Sequence, residues 1–258
     1  MRIGLSLNKQ NYSKDFCRRM LKSGIDYAEV SLCWGYDIGE TEDFADQVLK
    51  GGLKIWSLHI PFGPVPDWDP SNWVEAERKA AVSRILPYFG LAQRTGACRL
   101  ILHTSFEPIP DEDRGRRGEA FGRSLEELGR KSRETDVLVC VENLPRTCMG
   151  NTSDEILALI RSYPDIFLCC DLNHMMQETT EAFLKKCIDR VRTVHISDYD
   201  GIDEKHWLPG EGIIKWERVS DLLKNYDGVY MMELKAHKDG RAYTPEEAAD
   251  AIKSVIAK

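Results

Sequence analysis

The sequence predicts an α/β fold, a single (β/α)8 barrel in which eight parallel strands are ringed by outer helices. Three observations carry that expectation. Strand-forming and helical segments alternate eight times over 258 residues, close to the ~250 residues such a barrel usually takes. No linker, charge block or low-complexity stretch divides residues 1–258, so they read as one domain. An open doubly wound sheet would usually carry a Gly-rich phosphate fingerprint after an early strand, and none is present.

Ile3 to Leu7 is the first strand, and the helix from Lys14 to Ser23 stops at Gly24. Asp26 to Leu32 is the second strand, followed by a helix from about Glu42 to Lys50 that Gly51-Gly52 ends. Leu53 to Ile60 is the third, and a loop rich in Pro and aromatics leads to a long helical pattern from Asn72 to about Arg94, with Gly96 behind it. Arg99 to His103 is the fourth strand, Arg114 to Thr135 an amphipathic helix, and Val137 to Glu142 the fifth strand. Ser153 is placed to cap the next helix, with Ile156 on its apolar face. Ile166 to Asp171, Thr193 to Ser197 and Val229 to Glu233 are the last three strands; helices are expected at Thr180 to Arg190, Trp216 to Leu223 and Thr244 to Ala257.

Composition narrows the function classes. Apolar residues at 42% and charged residues at 30% describe a globular chain with material for a core. A net charge of -7 with pI near 5.5 argues against nucleic acid and anionic membrane as partners, because phosphate binding draws on surplus Lys and Arg. The 8 cysteines form no C-x-x-C pair and several lie in apolar runs, which fits reduced thiols in a cytoplasmic protein. MRIGLSLNKQ is too short in apolar length for a signal peptide, and no apolar run approaches the ~18 residues of a membrane span.

The expected chemistry lies at the strand ends. Strands three to eight end at His59, His103, Glu142, Asp171, His195 and Glu233. In a (β/α)8 barrel those ends meet at one face, so residues far apart in sequence converge. Period-two alternation puts Glu142 on the face of Leu138 and Cys140, and Glu233 on that of Val229 and Met231, which would line the interior. A metal is the economical reason to gather such groups. Two Glu, one Asp and one His make a site of three carboxylates and one imidazole, suited to Mn²⁺, Zn²⁺, Co²⁺ or Mg²⁺. The alternative is a salt-bridge and hydrogen-bond network that plugs the barrel top.

Other residues carry two readings each. Lys235 lies two beyond Glu233, on the same face, where it either holds a phosphate or carboxylate or is a solvated charge. His237 reads as surface. Phe62, Trp68 and Trp73 flank the loop after strand three, and Trp34 and Phe106 follow strands two and four; they stack on a substrate or anchor loops. Arg114, Arg116 and Arg117 read as a solvated helix face, in preference to an anion clamp.

Taken in order, Tyr27-Ala28-Glu29-Val30, Leu58-His59-Ile60-Pro61, His103, Val141-Glu142-Asn143, Asp171-Leu172-Asn173-His174, His195-Ile196-Ser197-Asp198, Pro209-Gly210-Glu211-Gly212 and Glu233 run from strand two to strand eight. With these pieces the chain resembles the xylose isomerase-like TIM-barrel superfamily, and within it the sugar phosphate isomerase/epimerase group. The resemblance implies that Glu142, Asp171, His195 and Glu233 hold a catalytic divalent metal. It implies that His174 and His206 contact substrate or a second metal, and that His59 and His103 match ligands of the multi-zinc abasic-site endonucleases of the superfamily. Those enzymes pair an Asp with the histidine before the GEG turn, where Glu204 stands here. Ketose 3-epimerases place an Arg after the strand-seven His, where this chain reads Tyr199-Asp200-Gly201.

The expected activity is therefore a metal-dependent sugar (or sugar phosphate or polyol ketone) isomerase or epimerase working through an enediolate, with Glu142 and Glu233 as the proton-handling pair. A multi-zinc phosphodiesterase acting at abasic DNA is the second reading, an enolate-forming dehydratase a variant of the first, and a sugar-binding barrel without turnover the third. A small sugar-like molecule is the expected partner, nucleic acid and membrane are not, and a homo-oligomer is left open.

Overall fold

A computed structural model describes residues 1–32, 35–64 and 66–256, and so leaves the expectations for Cys33, Trp34 and Ala257 outside the described residues. Among these residues the strands are β1 (Arg2–Leu7), β2 (Tyr27–Ser31), β3 (Lys54–His59), β4 (Arg99–His103), β5 (Leu138–Glu142), β6 (Ile166–Asp171), β7 (Val191–Ile196) and β8 (Val229–Met232). They close in chain order into a parallel barrel, with β8 pairing back onto β1. The helices are α1 (Lys14–Lys22), α2 (Ile38–Lys50), α3 (Glu75–Ile85), α4 (Pro87–Thr95), α5 (Asp111–Thr135), α6 (Ser153–Ile160), α7 (Thr180–Cys187), α8 (Trp216–Leu222) and α9 (Pro245–Val255). This is the TIM-barrel architecture the alternation predicts. None of the described helices is long and apolar enough to cross a membrane.

Local chemistry explains where the element limits differ from the expectations. The long helix after β3 is broken into α3 and α4 at Leu86-Pro87, because the proline ring has no N–H and crowds the preceding turn. The helix after β2 begins earlier, at Ile38, where Asp37 and Glu40 form a reciprocal capping box. Thr152 rather than Ser153 caps α6, its side chain accepting from the Glu155 N–H.

The main apolar core fills the layer between the outer faces of the strands and the helices, with residues such as Val30, Phe44, Phe89, Phe121 and Phe183 fully enclosed. Inside the barrel the packing is made by two small groups, Trp56 with Val229 and Met231, and Ile101 with Cys140 and Cys169. Gly4 belongs to this floor: a Cβ there would stand 2.6 Å from the Met231 methyl. The seven described cysteines are all free.

Two register shifts set which side chains face inward. Pairing of β2 with β3 passes from Ala28–Ile55 to Glu29–Ser57, skipping Trp56. Trp56 is thereby free to turn inside, where its indole N–H donates to Thr193 Oγ1 at 3.3 Å, while Ser57 and His59 keep an inward phase. A second shift skips Arg192 between β6 and β7, bringing Asp171 level with His195.

Residues 197–215, between β7 and α8, fold back over the barrel mouth around Asp198. One carboxylate oxygen, Oδ1, accepts from the Tyr199 and Ile214 N–H groups at 3.0 and 3.2 Å; Oδ2 accepts from the Gly210 N–H at 3.0 Å and the Trp216 indole at 2.8 Å. Gly212 passes so close to Asp198 and the Tyr199 backbone that a Cβ would overlap both. Asp198→Asn turns one acceptor into a donor facing two buried N–H groups. At ~1–3 kcal/mol for each buried donor left unmatched, unfolding should become easier by about 3 kcal/mol. Urea unfolding checks this, and an unchanged midpoint would contradict the role given to Asp198.

Candidate active site at the barrel mouth

The carboxyl ends of the strands carry the site. His59 ends β3, His103 ends β4, Glu142 ends β5 and Asp171 ends β6. His195 lies within β7 and Glu233 follows β8 by one residue. His174 comes from the single 3-10 turn after β6, while Glu204 and His206 are delivered by the β7–α8 segment.

Glu142 stands at the middle of the arrangement. Its Oε2 lies 3.2 Å from Nε2 of both His59 and His103, and its Oε1 lies 3.1 Å from Nδ1 of His195. The same His195 nitrogen is 3.1 Å from Glu233 Oε2 and 3.8 Å from Asp171 Oδ2. His174 Nε2 is 3.1 Å from Glu204 Oε2 and 3.6 Å from Asp171 Oδ2. All six strand-end residues read from the sequence converge, and His174, Glu204 and His206 join them.

Ring orientation is set from behind. His59, His174 and His206 each donate Nδ1–H to a backbone carbonyl, of Ile60, Asn143 and Glu233, at 3.0, 2.9 and 3.1 Å. A carbonyl can only accept, so the proton is on Nδ1 and Nε2 is the nitrogen presented to the site. His206 holds a left-handed backbone, φ 52°, which is costly for a residue with a Cβ. Its N–H on Asn173 Oδ1 at 3.2 Å and its carbonyl on the Lys235 N–H at 2.9 Å keep it there.

Electrostatics follow from packing these groups in a largely buried mouth. Burial opposes charge on His59, but the hydrogen bond and charge of Glu142, with Glu29 and Glu233 behind, outweigh it and push its pKa up to about 9. His174 rises to about 10 against burial through Asp171 and Glu204, and His195 rises as well through Cys169, Glu29 and Glu142. His103 goes the other way, because its burial exceeds the help of Glu142. Glu142 and Glu233 are held far below the usual carboxylate range, against burial, chiefly by His195. Glu204 is held low by His174 and His206. Without a cation, protonated imidazoles neutralise the carboxylates.

The donor set fits a divalent ion. Ligand atoms of Glu142, Asp171, His195 and Glu233 all lie within 4.8 Å of one another, three hard oxygens and one imidazole nitrogen. Within this group Asp171 Oδ2 is buried and has no hydrogen-bond partner, while Oδ1 accepts from the Asn173 N–H at 2.7 Å. The imidazole neighbours of Oδ2, His174 Nε2 and His195 Nδ1, stand beyond hydrogen-bond reach at 3.6 and 3.8 Å, and a bound cation would satisfy that oxygen more closely. Two more groups meet the same spacing: His59, His103 and Glu142, and His174, Glu204 and His206.

A cavity of about 180 Å³ opens over these residues. Phe62, stacked on His103 with ring centres 3.9 Å apart, forms one wall with Phe106 and Leu144. Lys235 stands exposed at the rim and, among the described residues, has no carboxylate partner. Trp68 and Trp73 lie outside this lining. Trp68 is buried against Tyr88, and Trp73 lies under the Arg116 guanidinium at 3.5 Å.

Two expectations are corrected here, and two residues are added. His237 is buried, with Nδ1 2.6 Å from Glu211 and Nε2 3.5 Å from Glu247, and so ties the GEG turn to α9. Arg114 and Arg117 are loop clasps rather than a solvated face, binding Glu155 and Asp69 at 2.6 Å each. Arg146, which the sequence reading passed over, is a rim residue. Held at φ 51°, it joins three loops by contacting Glu107 and Asp203 at 2.7 Å and Glu204 at 3.2 Å. Glu29 was also passed over as a site residue. A carboxylate on the inward period of a strand was the available signal.

Closed barrel and mouth define a TIM-barrel scaffold with a donor set of the kind that fits a cation. Residues 17–257 match the xylose isomerase-like TIM barrel family, and the chain belongs to that family. Among similar proteins is a fructoselysine 3-epimerase of Escherichia coli O157:H7, 26% identical over 234 residues that cover 82% of this chain and 81% of the relative. A D-tagatose 3-epimerase-like protein superposes with a TM-score of 0.83 at 20% identity, covering 99% of this chain and 97% of that one. The structure of the IolI protein with a binding zinc atom superposes at 0.74 with 16% identity, covering 99% and 96%.

The charge pattern predicts proton release on ion binding. His59, raised from 6.5 to about 9 largely by Glu142, holds a proton near neutral pH that a cation taking up the Glu142 charge would help expel. Titration with Zn²⁺ in two buffers of different protonation enthalpy should show net proton release, with affinity rising as pH climbs through about 9. The sign for the ion-free fold is opposite: this histidine stabilises it fully below 6.5, and that contribution is lost through about 9. Binding without proton release would contradict the charge assignment.

Proposed function

We propose that the chain is a divalent-metal-dependent isomerase or epimerase of a sugar or sugar-like compound, moving a proton on the carbon beside a carbonyl. The observation that carries this reading is the convergence of buried Glu142, Asp171 and His195 with half-buried Glu233, in which Asp171 Oδ2 has no hydrogen bond. Bound there, a Mn²⁺, Zn²⁺, Co²⁺ or Mg²⁺ ion supplies Lewis acidity to an α-hydroxy ketone or aldehyde, easing negative charge onto the carbonyl oxygen.

Glu142 and Glu233 are the proposed proton-handling pair. Both place an oxygen 3.1 Å from His195 Nδ1, so they flank one point from β5 and from beyond β8. One removes the proton and the other returns it, an arrangement suited to inversion at carbon. Phe62 and Phe106 offer apolar faces to the substrate body, and Lys235 is the rim cation for a phosphate or carboxylate on it. The names of the similar proteins, fructoselysine 3-epimerase and D-tagatose 3-epimerase-like protein, support an enzyme of this kind.

One observation favours a second reading. The two further groups, His59–His103–Glu142 and His174–Glu204–His206, would let the mouth hold more than one ion, as a multi-zinc phosphodiesterase at abasic DNA would require. The net charge of -7 opposes a DNA substrate. Metal analysis of protein purified without chelator separates the two. One equivalent of a divalent ion fits the isomerase; two or three zincs, with cleavage of an abasic duplex, would put the phosphodiesterase first.

Replacing Asp171 or His195 by Ala should abolish stoichiometric metal while far-UV circular dichroism stays native; full metal in both variants would contradict the ligand assignment. Glu142→Gln and Glu233→Gln each keep a metal-binding oxygen and lose the base. Metal should largely persist, while solvent deuterium exchange at the substrate α-carbon falls by ~10² or more. Exchange at the parent rate in both would rule out this mechanism.

A further inference from the structure

We propose that Glu29, in the barrel interior on β2, is the positioning residue that fixes His195 for ion binding. The inference rests on the metal reading above but concerns a residue outside the proposed ligand set. Glu29 is fully buried. Its Oε2 lies 3.1 Å from His195 Nε2 and accepts from Ser57 Oγ at 2.7 Å, and its Oε1 accepts from Ser6 Oγ at 3.2 Å.

The geometry gives this carboxylate a specific task. A carboxylate accepts, so the His195 proton that faces it sits on Nε2, and Nδ1 is the nitrogen turned toward Glu142, Glu233 and Asp171. His195 thus differs from His59, His174 and His206, which present Nε2 and are held at Nδ1 by main-chain carbonyls. Its ring reaches down into the barrel and meets a side-chain anion instead. Such an anion orients the ring, selects its tautomer and raises the basicity of the nitrogen facing the ion. A packing role alone would be served by a neutral residue, since an enclosed carboxylate is costly.

The holder is assembled from three strands. In register, Ser6 of β1 lies beside Glu29, and Glu29 beside Ser57 of β3. That second pairing exists because the register skips Trp56. Without the shift, Ser57 would turn out toward the helices and leave Glu29 one donor short.

The test titrates metal-free protein with Zn²⁺ alone, using wild type, Glu29→Gln and His195→Ala. Glu29→Gln keeps size and removes the anion; it should bind Zn²⁺ about 10–100-fold more weakly. In the zinc-loaded wild type, nitrogen-15 NMR of the histidine rings should show a slowly exchanging proton on His195 Nε2, and this signal should be lost or shifted in Glu29→Gln. A wild type that binds no Zn²⁺ would overturn the metal reading itself. Wild-type binding with equal affinity in Glu29→Gln would overturn the positioning role alone, as would lowered stability with unchanged affinity. Should Glu29→Gln fail to fold, the Ser6→Ala, Ser57→Ala double variant keeps the anion but frees it to move. Weaker Zn²⁺ binding by that protein supports the role, and parental affinity overturns it.

Discussion

The arrangement turns on the carboxylate of Glu142, a buried anion whose two oxygens serve three histidines from three other strands. Barrel closure makes this contact available, since only a closed sheet brings β3, β4, β5 and β7 around one point. In return, the contact explains why ionisable groups are tolerated there. Each charge is costly alone in a buried mouth, and each has an oppositely charged neighbour.

Support for that cluster comes from behind it in layers. Carbonyls of Ile60, Asn143 and Glu233 orient three rings, and the Glu29 carboxylate stands behind the fourth. Asn143 holds β5 to β6 by donating to the Asp171 carbonyl at 3.0 Å and accepting from the Asp171 N–H at 2.9 Å. Further out, Asp198 folds the β7–α8 segment and Arg146 clasps its Asp203 and Glu204 to the neighbouring loops. Glu204 therefore divides its oxygens, one on Arg146 and one toward His174 and His206. A rim cation and the inner cluster are coupled through that one side chain.

Family membership and fold are consistent with several chemistries, because barrels of this kind carry function in their loops. What distinguishes the readings is local: how many of the three donor groups take an ion at once. In the ion-free mouth protonated histidines balance the carboxylates, so under each proposed reading the ion count and the proton count are linked measurements.

The order of strands and helices was legible in the sequence because hydrophobic period and Gly stops are local signals, as at Gly24, Gly51-Gly52 and Gly96. The strand-end residues His59, His103, Glu142, Asp171, His195 and Glu233 were legible for the same reason, once closure was assumed. Element limits that depended on a single side-chain competition were not: Pro87 splitting a helix, or Thr152 outbidding Ser153 for a cap. Least visible were contacts whose partners lie far apart in sequence. Glu29 reaches His195 across the barrel, where a register shift at Trp56 lets Ser57 donate to it, and Arg146 finds Glu107, Asp203 and Glu204 only when three loops have folded. Sequence periodicity determines which face a residue occupies within its own element. Which residue stands opposite was decided by register and loop closure, which exist only in the folded barrel.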